Sequence, residues 1–179
     1  MYEVTLKSGR QVMIRPIRPD DGPRLRVGYR ALSPESRYQR FLALKPSLTE
    51  SDIRYLVDVD GTDHYALVAT TTRSPDWIIA VARFVRAADD PEAAEFAIVV
   101  GDPYQGEGLG SELLERLADA AVERGIRRFR ATALADNVAV HKLVRRLTGR
   151  LAQERHFGFV DELEVDLAVT RRLEGDLAA

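Results

Sequence analysis

An apolar run ends at Val100 and a strongly amphipathic stretch opens near Leu109; between them lies Gly101-Asp102-Pro103-Tyr104-Gln105-Gly106-Glu107-Gly108-Leu109-Gly110-Ser111. This segment constrains the fold most, because it dictates the order strand, glycine loop, helix. Glycine takes positive φ freely and lets the backbone come up against a ligand. The first amides of the following helix lack intrahelical partners, and with the helix dipole they suit phosphate oxygens. A glycine-rich turn without a ligand is the plainer alternative. Gly106, Gly108 and Gly110 opening one helix favour the anion site.

Two phosphate-binding classes fit poorly. A nucleoside-triphosphate loop needs Gly-Lys-Ser/Thr, and no lysine follows here. A dinucleotide loop needs G-x-G-x-x-G directly after its strand. Here Ser111 stands where the third glycine belongs, and Gly101 to Gln105 separate the strand from the loop. Asp136 could serve as the ribose-binding acid, so a nucleotide-dependent oxidoreductase stays open as an alternative.

The remaining pattern predicts one mixed α/β domain. Tyr2, Val4 and Leu6, then Val12 and Ile14, alternate with polar residues around Lys7-Ser8-Gly9-Arg10, a β-hairpin signature. Asp20 is the expected cap of a first helix through Leu25, Tyr29 and Leu32. Ser33-Pro34 starts a second through Tyr38, Phe41 and Leu42, and Thr49 a third through Ile53, Leu56 and Val57. Strands are expected at Tyr65 to Thr71, Trp77 to Val85 and Ala94 to Val100. The helix after the loop shows Leu114, Leu117, Ala118 and Ala121 on one face and stops at Gly125. Phe129 to Ala133 reads as a strand, Asp136-Asn137 opens a helix through Val140, Leu143, Val144 and Leu147, and Leu163 to Val169 alternate as a final strand. Consecutive strands before residue 100 predict antiparallel pairing, and the later β-α-β predicts one parallel crossover.

Composition removes several functions. The chain has 179 residues, no cysteine and a net charge of −2. It therefore has no disulfide, thiolate zinc site or cysteine nucleophile. His64, His141 and His156 are scattered, so no metal site is expected. The near-neutral balance gives no support to nucleic-acid or membrane-surface binding. No secretory signal is visible after Met1, so a cytoplasmic setting is expected. Of the 26 cations only Lys7, Lys45 and Lys142 are lysine.

Gln105-Gly106-Glu107-Gly108-Leu109-Gly110 resembles the Q/R-x-x-G-x-G/A motif of the GCN5-related N-acetyltransferase (GNAT) superfamily. Glu95 to Val100 precede it as that family's fourth strand does, and Asp136-Asn137 opens a helix as its last motif does. Ile14-Arg15-Pro16-Ile17-Arg18-Pro19-Asp20-Asp21 and Leu32-Ser33-Pro34-Glu35-Ser36-Arg37-Tyr38 are similar to the catalytic domain of bacterial protein lysine acetyltransferases. The resemblance implies a GNAT fold: a mostly antiparallel sheet with one parallel crossover and helices on both faces. It implies a single N-acetyltransferase domain over 1–179, with the hairpin in 1–18 and a tail over 170–179. A fused regulatory domain is not expected at this length. It further implies acetyl-CoA as co-substrate, no metal, and an amine acceptor, protein lysine or small amine, with a homodimer left open. Its cofactor would touch Ile98, Val99 and Val100 through main chain, the loop residues Gln105, Gly106, Glu107, Gly108, Leu109, Gly110 and Ser111, and Asn137 and Val140. A non-catalytic acyl-CoA-binding module is the alternative within this fold.

Acetyl transfer to an amine meets one obstacle. A lysine-like amine has a pKa of about 10.4, so at pH 7 roughly one in 2,500 is neutral, a penalty of roughly 4.6 kcal/mol. A general base must take that proton. Glu95, a carboxylate in an apolar strand beside the loop, is the candidate, and burial there would raise its pKa. The resemblance points to the same strand. Backbone amides near Val99 and Val100 could stabilise a developing oxyanion. Many relatives place a tyrosine on the last helix as general acid; the matching position here is Val144. His141, one turn nearer the cap, reads as a surface histidine. Tyr104 reads as a packing aromatic. Glu107 stands where relatives often have a basic residue and would oppose a pyrophosphate unless it points away. Arg15, Arg18, Arg37 and Arg40 could steer an acidic acceptor, or simply be solvated surface.

Overall fold

The computed structural model describes residues 1–148 and 153–167. Strands β1 (Tyr2–Thr5) and β2 (Gln11–Pro16) form the hairpin. Three helices follow, α1 (Gly22–Ala31), α2 (Pro34–Phe41) and α3 (Glu50–Val57). The middle strands are β3 (His64–Thr71), β4 (Ile78–Arg86) and β5 (Ala93–Val100). Helix α4 (Leu109–Glu123), β6 (Arg128–Leu134), α5 (Val138–Thr148), β7 (Gln153–Phe157) and β8 (Val160–Asp166) complete the described chain. The eight strands make one sheet in the order β1-β2-β3-β4-β5-β6-β8-β7, and β5–β6 is its parallel pair. No described helix is long and apolar enough to cross a membrane.

Strand alternation sends side chains to two cores. On one face, Phe84, Phe96 and Phe129 pack with Leu109, Leu113, Leu114 and Leu117 of α4. The ring centroids of Phe96 and Phe129 lie 5.3 Å apart. On the other face, Ala66, Val68 and Ile78 meet Leu25 and Tyr29 of α1 and Ile53 and Leu56 of α3. Helix α1 lies so close to β4 that a Cβ on Gly28 would sit 2.3 Å from the Ile78 carbonyl oxygen. Helices thus cover both faces, as the resemblance implies.

The local signals differ from expectation in two places. Thr49 and Ser33 cap their helices by accepting from the Asp52 and Ser36 amides. Asp20, however, is not the cap of α1. Asp21 is fully buried instead, accepting from the Arg18 amide at 2.9 Å and from Arg15 at 2.6 and 2.7 Å. Strand β7 escapes the sequence reading because Gln153 to Phe157 are all exposed and show no apolar alternation. The end of the last expected strand at Val169 and the tail over 170–179 lie outside the described residues.

Candidate functional site

The site originates in a split in the sheet. Strands β5 and β6 pair only through Ala93↔Arg128, Ala94↔Phe129 and Glu95↔Arg130. Beyond Glu95, β5 continues along β4 to Val100, while β6 continues along β8 to Leu134. The two strands therefore part, and β5 presents an unpaired edge. The register fixes which main-chain groups face it. Ala93 accepts from the Ala87 amide and Gly101 donates to the Ile79 carbonyl, so odd-numbered residues address β4. Phe96, Ile98 and Val100 turn their main-chain groups toward the split, and Val99 is held by β4.

On one side of the split lies a cleft of about 670 Å³. Its walls are Ile98 to Val100, the loop at Gln105, Gly106, Gly108, Gly110 and Ser111, and the start of α5 at Asn137 and Val140. Gly106 and Gly108 hold φ of +72° and +94°, and a Cβ on either would meet no atom within 4 Å. The loop is thus a left-handed turn whose open side faces the cleft, and α4 begins directly behind it. Lys7, Lys142 and Arg146 also line this cleft. The sequence reading passed over all three as ligands. Lys142 and Arg146 sit one turn apart on α5, a spacing that could have revealed them.

Two loop residues face elsewhere. Leu109 is fully buried in the core, so only its main chain is available. Glu107 points away from the loop's open side. Its carboxylate accepts from the Ser8 amide at 2.8 Å and from Arg10 at 2.7 Å, and its carbonyl accepts from the Lys7 amide at 3.2 Å. Ser8 first, then Arg10, hold this carboxyl below its ordinary pKa of 4.5. The β1–β2 turn therefore pins the loop, and Glu107 does not oppose an anion there. Arg10 also donates to the Pro103 carbonyl and lies over the Tyr104 ring at 4.6 Å.

A second tie joins loop and helix α2. Asp102 accepts from the Ser33 amide at 3.0 Å and from the Ser33 and Ser36 hydroxyls at 2.7 and 2.8 Å. Gln105 donates to the Ser36 hydroxyl and to the Val100 carbonyl. Burial alone would raise the pKa of Asp102, but these donors outweigh it and hold it low.

On the other side of the split is a second cleft of about 670 Å³, lined by charged side chains from four strands. Glu95, Arg130, Arg155, Glu162 and Glu164 face it, with Arg40 and Phe41 of α2 at its border. Glu95 is exposed here, not buried as the sequence reading expects. Arg130 is occupied by Asp89, Asp90 and Glu164. Glu95 has no ion pair or side-chain hydrogen bond among the described residues. It stands free where β5 and β6 part.

The other sequence candidates fall into place by their partners. Asn137 is buried, accepts from the Val140 amide at 3.2 Å and lines the first cleft, so it caps α5 and borders the site together. Val144 is in the core. His141 is buried rather than at the surface: Nδ1 meets Glu154 at 2.7 Å and Nε2 meets Asp161 at 3.3 Å. His141, Glu154 and Asp161 are the described residues whose donor atoms could gather round a metal ion, and here they pair with one another. Arg15 is committed to Asp21, and Arg37 donates to the Leu32, Arg30 and Pro46 carbonyls. Arg18 is exposed. Of the four arginines, Arg40 borders both clefts.

Known proteins resemble this chain in sequence and fold. Residues 27–149 match the acetyltransferase (GNAT) family. The acetyltransferase Pat of Mycolicibacterium smegmatis is 35% identical over 174 residues, 97% of this chain and 52% of that protein. The chain therefore spans about half the length of Pat. An acetyltransferase of Pseudomonas aeruginosa is 31% identical over 140 residues, 78% of this chain and 75% of that protein. The solved GNAT domain of S. lividans PAT superposes with a TM-score of 0.82 at 34% identity, covering 92% of this chain and 96% of that one. With its split sheet, its glycine loop at a helix start and these relatives, the chain belongs to the acetyltransferase (GNAT) family.

Proposed function

We propose that this chain transfers an acetyl group from acetyl-CoA directly to a primary amine, with Glu95 as general base. The observation that carries the reading is the placement of an unpaired Glu95 at the split, between a backbone-built anion cleft and a charged cleft. Acetyl-CoA, once bound, supplies a thioester whose acyl carbon accepts the amine.

The first cleft fits such a molecule. The loop amides and the start of α4 offer donors for phosphate oxygens, and Lys7, Lys142 and Arg146 add positive charge. The unpaired β5 edge offers Ile98 and Val100 main chain to an extended amide-bearing arm, as a neighbouring strand would. The Val100 N–H, which faces the split, is the amide positioned for a developing oxyanion; the Val99 N–H is not.

In the second cleft, Glu95 takes the amine's proton, directly or through one water. Glu162 lines the same cleft and offers a second carboxylate to an ammonium-bearing acceptor. That chemistry serves a protein lysine and a small amine alike. With no cysteine in the chain, no acyl-cysteine step is available and transfer is direct. Helix α5 carries no tyrosine, so this reading assigns no side-chain acid to the departing thiolate. A cytoplasmic setting belongs to the reading and rests on the sequence.

Calorimetry with acetyl-CoA, CoA and NAD, followed by thiol release on a panel of amines, tests it. We expect acetyl-CoA and CoA to bind, NAD not to bind, and thiol release to need the amine. Binding without release would make the chain a non-catalytic acyl-CoA module. No acetyl-CoA binding at millimolar concentration would overturn the reading.

A further inference from the structure

Beneath α1, α2 and α3, the sheet face carrying Ile78, Val81 and Val99 lines a partly open cavity of about 50 Å³. Its wall is mostly apolar, with Leu25, Leu32 and Leu56 among its residues. A water-sized group needs about 10–15 Å³ of such space, so the cavity takes a short stem of a few heavy atoms.

Two charged residues stand in this apolar wall, and both are arginines. Arg83 of β4 is 4% exposed. Its Nη1 meets His64 Nε2 at 3.0 Å and its Nη2 donates to the Leu56 carbonyl at 3.1 Å. Its Nε is buried and has no partner. Among the described residues no carboxylate lies within 4.0 Å of Arg83 or of the half-buried Arg40. The wall's other polar side chain, Tyr29, donates its hydroxyl to the Lys45 carbonyl.

That is an unusual state for a buried cation. Taking a guanidinium out of water is costly unless a counter-charge returns the loss. Arg15, the other buried arginine among the described residues, has its counter-charge in Asp21 at 2.6 Å. Arg83 has none, and the nearby Arg40 repels it. Burial first, then Arg40, lower its pKa to about 9, which still leaves it charged at neutral pH. The fold keeps a cation in the wall of an apolar cavity with no carboxylate beside it.

We propose that this cavity takes a carboxylate on a short apolar stem, gripped by Arg83 and Arg40. Arg40 also lines both clefts of the split, so the cavity adjoins the junction where acyl group and amine meet. The acid has two sources: the far end of a dicarboxylic acyl group on the thioester, or the carboxylate of an amino-acid-like acceptor. The choice of source rests on the transferase reading; the carboxylate pocket itself does not.

The test begins with wild-type protein and no reaction. Acetate, propionate and butyrate, each against its neutral amide, are titrated by calorimetry into wild type, Arg83→Met and Arg40→Gln, with CoA binding measured on the same samples. A charged hydrogen bond of this kind supports about a tenfold or greater preference for the acid. We expect that preference in wild type and its loss in each variant that still binds CoA. Equal binding of acids and amides by wild type overturns the proposal, as does an acid preference that survives in both variants. If Arg83→Met does not fold, the wild-type comparison and Arg40→Gln decide alone. Thiol release then separates the sources. Succinyl-CoA preferred over butyryl-CoA assigns the acid to the acyl group, and a free amino acid preferred over its amide assigns it to the acceptor. Indifference in both arms overturns the pocket's role in substrate choice. Failure of wild type to bind CoA would sink the transferase reading and leave the carboxylate result standing.

Discussion

The two clefts of the split sheet are equal in volume and opposite in construction. The first centres on one continuous stretch, Ile98 to Ser111, whose strand edge and glycine loop offer main chain, and it is completed by Lys7, α2 and α5. The second is made of side chains drawn from α2, β5, β6, β7 and β8. A backbone-built cleft recognises what every substrate pair shares, since amides and helix ends do not vary with side-chain identity. A side-chain-built cleft can be rewritten at any of its positions without disturbing the fold. On the proposed reading, specificity lives in the second and cofactor chemistry in the first.

The sharpest way to break this division is Glu95→Gln. It should lower turnover about 10²–10⁴-fold, the range for a lost general base, while acetyl-CoA affinity stays unchanged in calorimetry. Full turnover across the pH range would remove Glu95 from the role. The converse variant is Gly108→Val. Its φ of +94° strains any branched side chain by about 1–3 kcal/mol, and the new group fills the loop's open side. Acetyl-CoA affinity should fall about tenfold or more, with saturated turnover much less affected. Unchanged affinity would mean that the loop backbone does not hold the ligand.

Two smaller effects sharpen the picture. Glu107→Gln should unpin the loop and weaken acetyl-CoA binding by a few fold. Because the folded carboxyl titrates below its ordinary value of 4.5, the pinning is complete above that value and is lost as the pH falls through the lowered one. Wild-type affinity should therefore drop on acidification below about pH 4.5, a drop that Glu107→Gln lacks. Lys142→Ala and Arg146→Ala should each weaken binding about two- to threefold at low salt, with the difference fading as salt is raised. A loss independent of salt would point to packing instead of charge.

The same contrast explains what the sequence reveals. The loop was legible because glycine positions, a following amphipathic helix and a preceding apolar strand are all local. Helix starts at Ser33 and Thr49 were legible for the same reason. The pinning of Glu107 was not, since its partners Ser8 and Arg10 lie 99 and 97 residues away. The second cleft gathers Glu95, Arg130, Arg155 and Glu162 from four strands, and no spacing rule joins them. Strand β7 was missed because an edge strand with every residue exposed has no apolar period to read. The sequence reads His141 as a surface residue because its partners, Glu154 and Asp161, belong to a hairpin whose first strand shows no apolar period.

The bracket of Asp102, Ser33, Ser36 and Gln105 has a thermodynamic consequence. It clamps the first turn of α2, a helix whose last turn borders the second cleft, to the segment that leads into the glycine loop. A ligand that stills one end of such a bracket leaves less motion for the second ligand to arrest. Its free energy of binding is then shared between sites, and the sharing is reciprocal. Whatever factor the donor adds to the acceptor's affinity, the acceptor returns to the donor's.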